Sequence, residues 1–232
     1  MIRLSPDQPK PKDGKPSVSL LACAMLTCAG GTLDAFTYLG HGHVFATSMT
    51  GNVVLLGLNA VRADWPQTLL HFVPIAGFCL GVSTAEGITR RSVWKNRASS
   101  SAWVLSVEIA ILALVGCLPR SAPDSPITIC VAFAAALQAA TFRTVEGYSY
   151  NATFTTGNLR SLSESFFDWI AQKCTPAAPH AVRVFAAVCG SFLLGTLVGA
   201  LLTPILGNKM LWVTCSMLTM VRLRFLLKDE VQ

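Results

Sequence analysis

Two short stretches carry the residue types best suited to ligand chemistry. Thr50-Gly51-Asn52 follows Thr47 and Ser48, and Thr156-Gly157-Asn158 follows Thr153 and Thr155. In each, hydroxyl side chains lead into a glycine, an asparagine and a helix-compatible run. Threonine is a good helix N-cap, and glycine lets another group approach the backbone closely. A half-helix starting there aims unpaired N–H groups and its positive dipole end at an anion or polar ligand. The competing role is packing: small residues let membrane helices approach, and hydroxyls re-pair backbone groups freed at a kink.

Acidic residues come next. Asp34 lies late in an apolar run, just before Ala-Phe-Thr-Tyr. At mid-bilayer a carboxylate costs about 2.5–3.5 kcal/mol on insertion scales, which marks it as a proton or cation site or as the partner of a basic group. Near a helix end it costs little and needs no function. Glu108 is a second acid inside an apolar run, and Glu86 shares a helix face with Arg90 four residues on, as an interfacial ion pair would. His41 and His43 form an H-G-H stretch with too few ligands for a metal. His71 and His180 stand at the starts of apolar runs and read as interfacial. The eight cysteines are scattered singly, with no C-x-x-C pair, and read as small apolar residues. There is no G-x-S-x-G, H-E-x-x-H or phosphate loop. The expectation is a non-enzyme with no catalytic residues, metal or cofactor.

The elements that position these residues follow from composition. The chain is 52% hydrophobic and 13% charged, against about 25% charged in soluble domains; its mean hydropathy is +0.52. The apolar residues form long unbroken runs. Without water, backbone groups must pair internally, so such runs become helices. The alternating segments of a membrane β-barrel are missing. A net charge of +6 would suggest nucleic acid in a soluble protein. Here the basic residues flank the apolar runs and have no interleaved aromatics, so they set orientation instead. The fold class expected is all-α, a polytopic transmembrane bundle whose partner is the lipid bilayer, with no nucleic acid bound. Residues 1–17 are polar and proline-rich and read as a disordered cytoplasmic tail. The run that follows is longer than a signal-peptide core and reads as a retained first span.

A span needs about 20 apolar residues. Six segments qualify, at 18–39, 68–88, 102–118, 126–142, 182–206 and 209–227, within one transmembrane domain over 18–227. Basic residues in the tail, the five connections and the C-terminal end number 4, 1, 4, 1, 4, 1 and 3. That alternation fits six crossings with both termini cytoplasmic. Segments 44–61 and 153–170, which hold the two T-G-N stretches, then become non-crossing or half-membrane elements.

Three blocks recur in order. Leu33-Asp34-Ala35-Phe36-Thr37-Tyr38 matches Leu137-Gln138-Ala139-Ala140-Thr141-Phe142, T-G-N matches T-G-N, and Phe78-Cys79-Leu80-Gly81 matches Phe192-Leu193-Leu194-Gly195. Gln138, which cannot titrate, is thus the counterpart of Asp34. Each repeat, 18–118 and 126–227, holds three crossings and one T-G-N half-helix or re-entrant element. An odd number of crossings inverts the second repeat, as in many secondary transporters. Gly77/Gly81 and Gly195/Gly199 form G-x-x-x-G patterns that suit tight helix contacts, within the chain or in a homodimer.

Gly30 through Phe36, Phe45 through Asn52 and Leu55-Leu56-Gly57 together resemble the YoaK family, the membrane family built on domain of unknown function 1275. Ala136 through Ala140 and Thr153 through Leu159 are similar to that family's later G-x-Q-N and T-G-T/N region, with Ala136 where the family often has glycine. The resemblance covers residues 18–221. The short final span with Arg222 and Arg224 departs from the family's apolar ending. The resemblance implies a polytopic membrane protein and carries no established activity.

The expected function is a small secondary transporter or permease for a small polar or anionic solute. Thr50, Gly51, Asn52, Thr156, Gly157 and Asn158 would line a central site with Asp34 and Gln138 beside them. The alternative is a non-transporting membrane scaffold or assembly factor. Transport expects the two T-G-N elements to meet around a polar cavity; a scaffold expects them apart and dry. Asn151-Ala152-Thr153 is a formal glycosylation sequon that this topology places in the cytoplasm. Expressed in a glycosylating host, the protein is expected to leave Asn151 bare by mass spectrometry, and a glycan there would overturn the topology.

Overall fold

The computed structural model describes residues 17–90, 97–152, 155–171 and 178–229. The tail expected over 1–17 falls outside these apart from Ser17, as do Thr153 and Cys174. The helices are α1 (Leu20–Gly40), α2 (Met49–Val61), α3 (Trp65–Arg90), α4 (Arg97–Gly116), α5 (Asp124–Thr141), α6 (Thr155–Ile170), α7 (Ala178–Leu206) and α8 (Leu211–Asp229). Ser19 caps α1 by accepting the Ala22 N–H, and Asp124 sits in the first turn of α5, where a negative charge complements the helix dipole. Three two-residue strands, absent from the all-α expectation, adjoin the bundle: β1 (Ser17–Val18), β2 (Thr144–Val145) and β3 (Tyr148–Ser149). Glu146 and Gly147 both have positive φ (47° and 88°) between β2 and β3, the requirement of a type I′ hairpin turn.

Four stretches among the described residues are long and apolar enough to cross a membrane: Leu20–Gly40, Trp65–Ile88, Asp124–Thr141 and Ala178–Leu227. The last contains α7 and all but the last two residues of α8, separated by a 3₁₀ turn at Gly207–Met210. Gly207 has φ +58° and packs against the Arg120 side chain. Arg120 in turn donates to the carbonyls of Pro204 and Ile205 at the end of α7, so the chain break is tied down. α2 has 13 residues, about 20 Å at 1.5 Å per residue, short of the roughly 30 Å hydrocarbon core.

Contacts between helix ends give the directions. β1, just before α1, pairs with β2, just after α5, while His41 at the end of α1 reaches Asp124 at the start of α5. The two helices are therefore antiparallel. Gly195 and Gly199 of α7 meet Cys28 and Thr32 of α1 in the same order, and Gly77 and Gly81 of α3 meet Ile129 and Phe133 of α5 likewise. Both pairs are parallel. α8 runs against α1, from Asn208 beside His41 to Thr214 beside Thr32. It also runs against α4, with Trp212 beside Gly116 and Arg222 beside Ser106. The six helices α1, α3, α4, α5, α7 and α8 thus alternate in direction along the chain.

The packed pairs follow a rule. α1 packs on α7 and α5 on α3; α2 packs on α3 and α6 on α7; α8 packs on α1 and α4 on α5; α4 packs on α8. Exchanging α1–α4 with α5–α8 maps this set onto itself. Both G-x-x-x-G patterns are used inside the chain, each with its glycines against backbone carbonyls of the partner helix. α1 is buried along most of its length. Leu193, Leu194, Leu197, Leu201 and Ile205 of α7 are exposed on the outer surface, as a lipid-facing side requires.

A Cβ at Gly195 would collide with the Cys28 carbonyl, whereas one at Gly190 would meet nothing within 4 Å. Gly195→Val is expected to lower stability by about 1–3 kcal/mol and Gly190→Ala to leave it unchanged, measured by thermal unfolding in detergent. Equal melting of the two variants would refute the α1–α7 contact.

Candidate functional site

Asp34 lies six residues short of the end of α1, about 9 Å along the helix. The chain turns at Gly42 and His43, both at positive φ, and folds back along α1 until Thr47 reaches that carboxylate. Asp34 Oδ1 accepts the Thr47 N–H at 2.7 Å, and Oδ2 accepts the hydroxyls of Thr47 at 2.8 Å and Ser48 at 2.5 Å. Asp34 is 5% exposed. Three donors serve an acceptor-only group, which accounts for a buried acid with no basic partner among its bonds. The carboxylate holds the loop in place.

The asparagines of the two T-G-N stretches make the same connection. Asn52 Oδ1 accepts the Phe45 N–H at 2.9 Å and its Nδ2 donates to the Phe45 carbonyl at 2.7 Å. Asn158 Oδ1 accepts the Asn151 N–H at 3.3 Å and its Nδ2 donates to the Asn151 carbonyl at 2.7 Å. Each amide closes a loop onto the backbone seven residues earlier. Both asparagines are buried. Their amides are thus engaged by their own chain, each closing the loop that leads into its helix.

The remaining expected residues divide. Thr50 and Thr156 are exposed. Gln138 is buried, and its Nε2 donates to the Leu26 carbonyl of α1 at 3.0 Å. α2 and α6 do not form a packed pair, so the two T-G-N elements are not brought together as helices. Their preceding loops do enter the bundle. The Ala152 carbonyl lies 3.1 Å from where a Cβ would sit on Gly30, the central residue of α1, and Ala46 and Ala152 are both buried.

The halves also differ beside the two T-G-N glycines. A Cβ at Gly51 would meet the Phe45 ring at 2.8 Å. That ring stacks on Tyr38 at 5.0 Å between centroids, and Tyr38 meets His43 edge-on at 5.1 Å. In the second half Asn151 occupies the place of Phe45, and nothing lies within 4 Å of a Cβ at Gly157. A cavity of about 570 Å³ opens there, lined by residues including Phe78, Arg143, Ser149, Asn151, Gly157 and Ser161. Arg143 lies 4.0 Å from Glu86, with both side chains part-exposed. The cavity offers one cation, an amide and hydroxyls. Gly157 and Asn158 border it; Gly51 and Asn52 sit at its filled counterpart.

Sequence reasoning missed a second polar cluster. His41, 3% exposed, places Nδ1 2.9 Å from Asp124 Oδ1 and Nε2 2.9 Å from Asn208 Oδ1. Asn208 Nδ2 donates to the Leu118 and Pro119 carbonyls, so its oxygen must accept from Nε2–H. The cluster ties α1, α5 and the α7–α8 turn at one end of the bundle. Its members lie more than 80 residues apart, beyond any local spacing signal.

Asp34→Asn would turn an NH2 toward donors. It is expected to cost about 1–3 kcal/mol, and to couple non-additively with Thr47→Val plus Ser48→Ala in a double-mutant cycle of denaturant unfolding. Additive losses would mean the carboxylate does not hold the loop.

Over 201 residues the chain is 27% identical to the UPF0700 transmembrane protein YoaK of Bacillus subtilis (strain 168), covering 82% of this chain and 86% of that protein. No solved structure matches. The family described as "Protein of unknown function (DUF1275)" matches residues 22–223. With several helices apolar enough to cross a bilayer and a transmembrane relative aligned over most of its length, the chain is a multi-pass membrane protein that belongs to the DUF1275 family.

Proposed function

We propose that the protein is a small secondary transporter or permease for a small polar or anionic solute, built as two inverted three-span halves whose T-G-N elements enter the bilayer partway. Support for the inversion comes from the antiparallel course of α1 and α5 and from the exchange symmetry of the helix pairs. Support for partial entry comes from loops that reach Asp34 and Gly30 well inside α1 before short helices carry the chain out.

The observation that carries the reading is the difference between the halves. The same asparagine clamp occurs twice, yet the notch at Gly51 is filled by Phe45 and the notch at Gly157 opens into the cavity beside Arg143 and Asn151. Alternating access needs one closed and one open side around related elements. With the N-terminus cytoplasmic, the open side faces the cytoplasm, since the cavity adjoins the end of α5 and the start of α1. One guanidinium, an amide and two hydroxyls suit a small polar or anionic solute. Solute contact would then involve Arg143, Asn151, Ser161 and the Gly157 backbone more than the amides of Asn52 and Asn158.

A scaffold role remains the second reading, favoured by the dry interior between the two loops, where Leu33, Phe36, Ala46, Ala134 and Ala152 are buried together. Proteoliposome flux separates the two, with radiolabelled monocarboxylates, inorganic phosphate, amino acids and polyols as the probes. Transport expects flux above protein-free vesicles for one class. It also expects at least about a tenfold loss in Asn151→Phe, a change of about 1.4 kcal/mol in the barrier, because a phenyl ring would fill the Gly157 notch as Phe45 fills its counterpart. No flux for any class, or undiminished flux in a folded Asn151→Phe protein, would refute the site.

A further inference from the structure

Glu108 lines neither the cavity beside Gly157 nor either loop clamp. It lies 11 residues beyond the start of α4 and 8 before its end, so at least about 12 Å of helix separates it from either terminus. It is 0% exposed, and neither carboxyl oxygen has a hydrogen-bond partner among the described residues. On the same face Val104, Leu105 and Leu112 are buried, the two leucines at 0% exposure. Packing there calls for an apolar residue, and replacing a buried charged group by one of similar volume is often neutral or stabilising. An intramembrane acid of this kind is a candidate functional site.

The surroundings restrict what the carboxyl can bind. The titratable or charged groups on the elements packed against α4 are Cys215, Arg222, Arg224, Lys228 and Asp229 on α8, the last two at its C-terminal end, Asp124 and Cys130 on α5, and Lys209 in the 3₁₀ turn. Cys215 donates to the Ile109 carbonyl. Arg222 donates to Ser106 Oγ at 2.6 Å, two residues from Glu108 and so on another side of the helix. Arg224 is exposed. Asp124 is held by His41 at the bundle end, Lys209 lines the cavity at that same end, and Cys130 is part-buried. No group of three metal-ligating residues occurs among the described residues, and hard cations need about six oxygens. An unpaired carboxylate in a dry interior carries a prohibitive desolvation cost, and the group neutralises instead. One proton on one oxygen meets that need without further ligands.

We infer that Glu108 is a proton-exchange site buried on α4 beside the α4–α8 contact, next to Ile109 whose carbonyl meets Cys215 of α8, holding a proton in this arrangement and releasing it when the contact shears. α4 on α8, like α1 on α5, is a packed pair that the exchange of halves maps onto itself, and it joins one half to the other. Any movement of one half against the other therefore acts on this contact and alters the access of water to the acid. Use of the proton to drive solute movement rests on the transport reading above; exchange itself does not. In the exchange the carboxylic acid O–H breaks to give carboxylate and a solvated proton, and the reverse step reloads it.

Infrared spectroscopy of the full-length protein in lipid nanodiscs tests this without a solute. The expected result is a protonated-carboxyl C=O band that is missing in Glu108→Gln, moves in D2O, and is lost as pH rises with the steepness of a single proton. Glu108→Asp should keep a band at a displaced frequency, which preserves the assignment if Glu108→Gln does not fold. Absence of the band at every pH, a band that neither moves in D2O nor titrates, or loss of the band on adding sodium at fixed pH would each overturn the proton site. A titrating band with no flux of any probe would defeat the transport reading alone.

Discussion

Each half of the bundle contains an irregular stretch of chain that leaves the end of a long helix and folds back into apolar surroundings. There a peptide group has no water to complete its hydrogen bonds, and an unpaired one costs several kcal/mol. Asn52 and Asn158 meet this constraint. Their amides carry both a donor and an acceptor, and each supplies both to a single residue seven positions earlier. Aspartate or leucine at these positions could not do so. In the first half Asp34 adds three further bonds to the next residues of the loop. The loops, the short helices that follow and the cavity beside Gly157 all depend on this local pairing.

Close helix contact sets the second condition. In lipid, apolar side chains gain little by leaving one apolar surrounding for another, so association depends on how closely backbones approach. Gly195 and Gly199 bring α7 onto α1, and Gly77 and Gly81 bring α3 onto α5, with glycines against carbonyls in both cases. The contacts are repeated and parallel, and they join helices from opposite halves. The two halves are interleaved, so a relative motion would alter every long interface at once.

Departures from symmetry are where the chemistry concentrates. Asp34 faces hydroxyls while its counterpart Gln138 bonds a carbonyl of α1. Phe45 fills the Gly51 notch while Asn151 leaves Gly157 open. Glu108 has no acidic counterpart within α8 before Asp229. On the transport reading proposed above, unlike residues at matching positions of the two halves would separate a closed side from an open one and a neutral site from a titratable one.

The sequence by itself determined the long helices and most of their limits, because lipid forces every apolar run of span length into a helix whatever its neighbours. The segment expected at 18–39 is α1 at Leu20–Gly40, and 182–206 lies within α7. Its recurring blocks, Leu33–Tyr38 with Leu137–Phe142, the two T-G-N stretches and Phe78–Gly81 with Phe192–Gly195, also suggested which stretches correspond, because they are local patterns. The tertiary structure decided what those residues bond. From the sequence, a T-G-N stretch reads as a solute site or as helix packing, and only the fold brings the Phe45 and Asn151 peptide groups onto the two asparagine amides. The His41–Asp124–Asn208 cluster and the unpaired carboxyl of Glu108 depend on residues brought together from distant parts of the chain. Hydrogen bonds are short-ranged and directional, so sequence spacing could not reveal them.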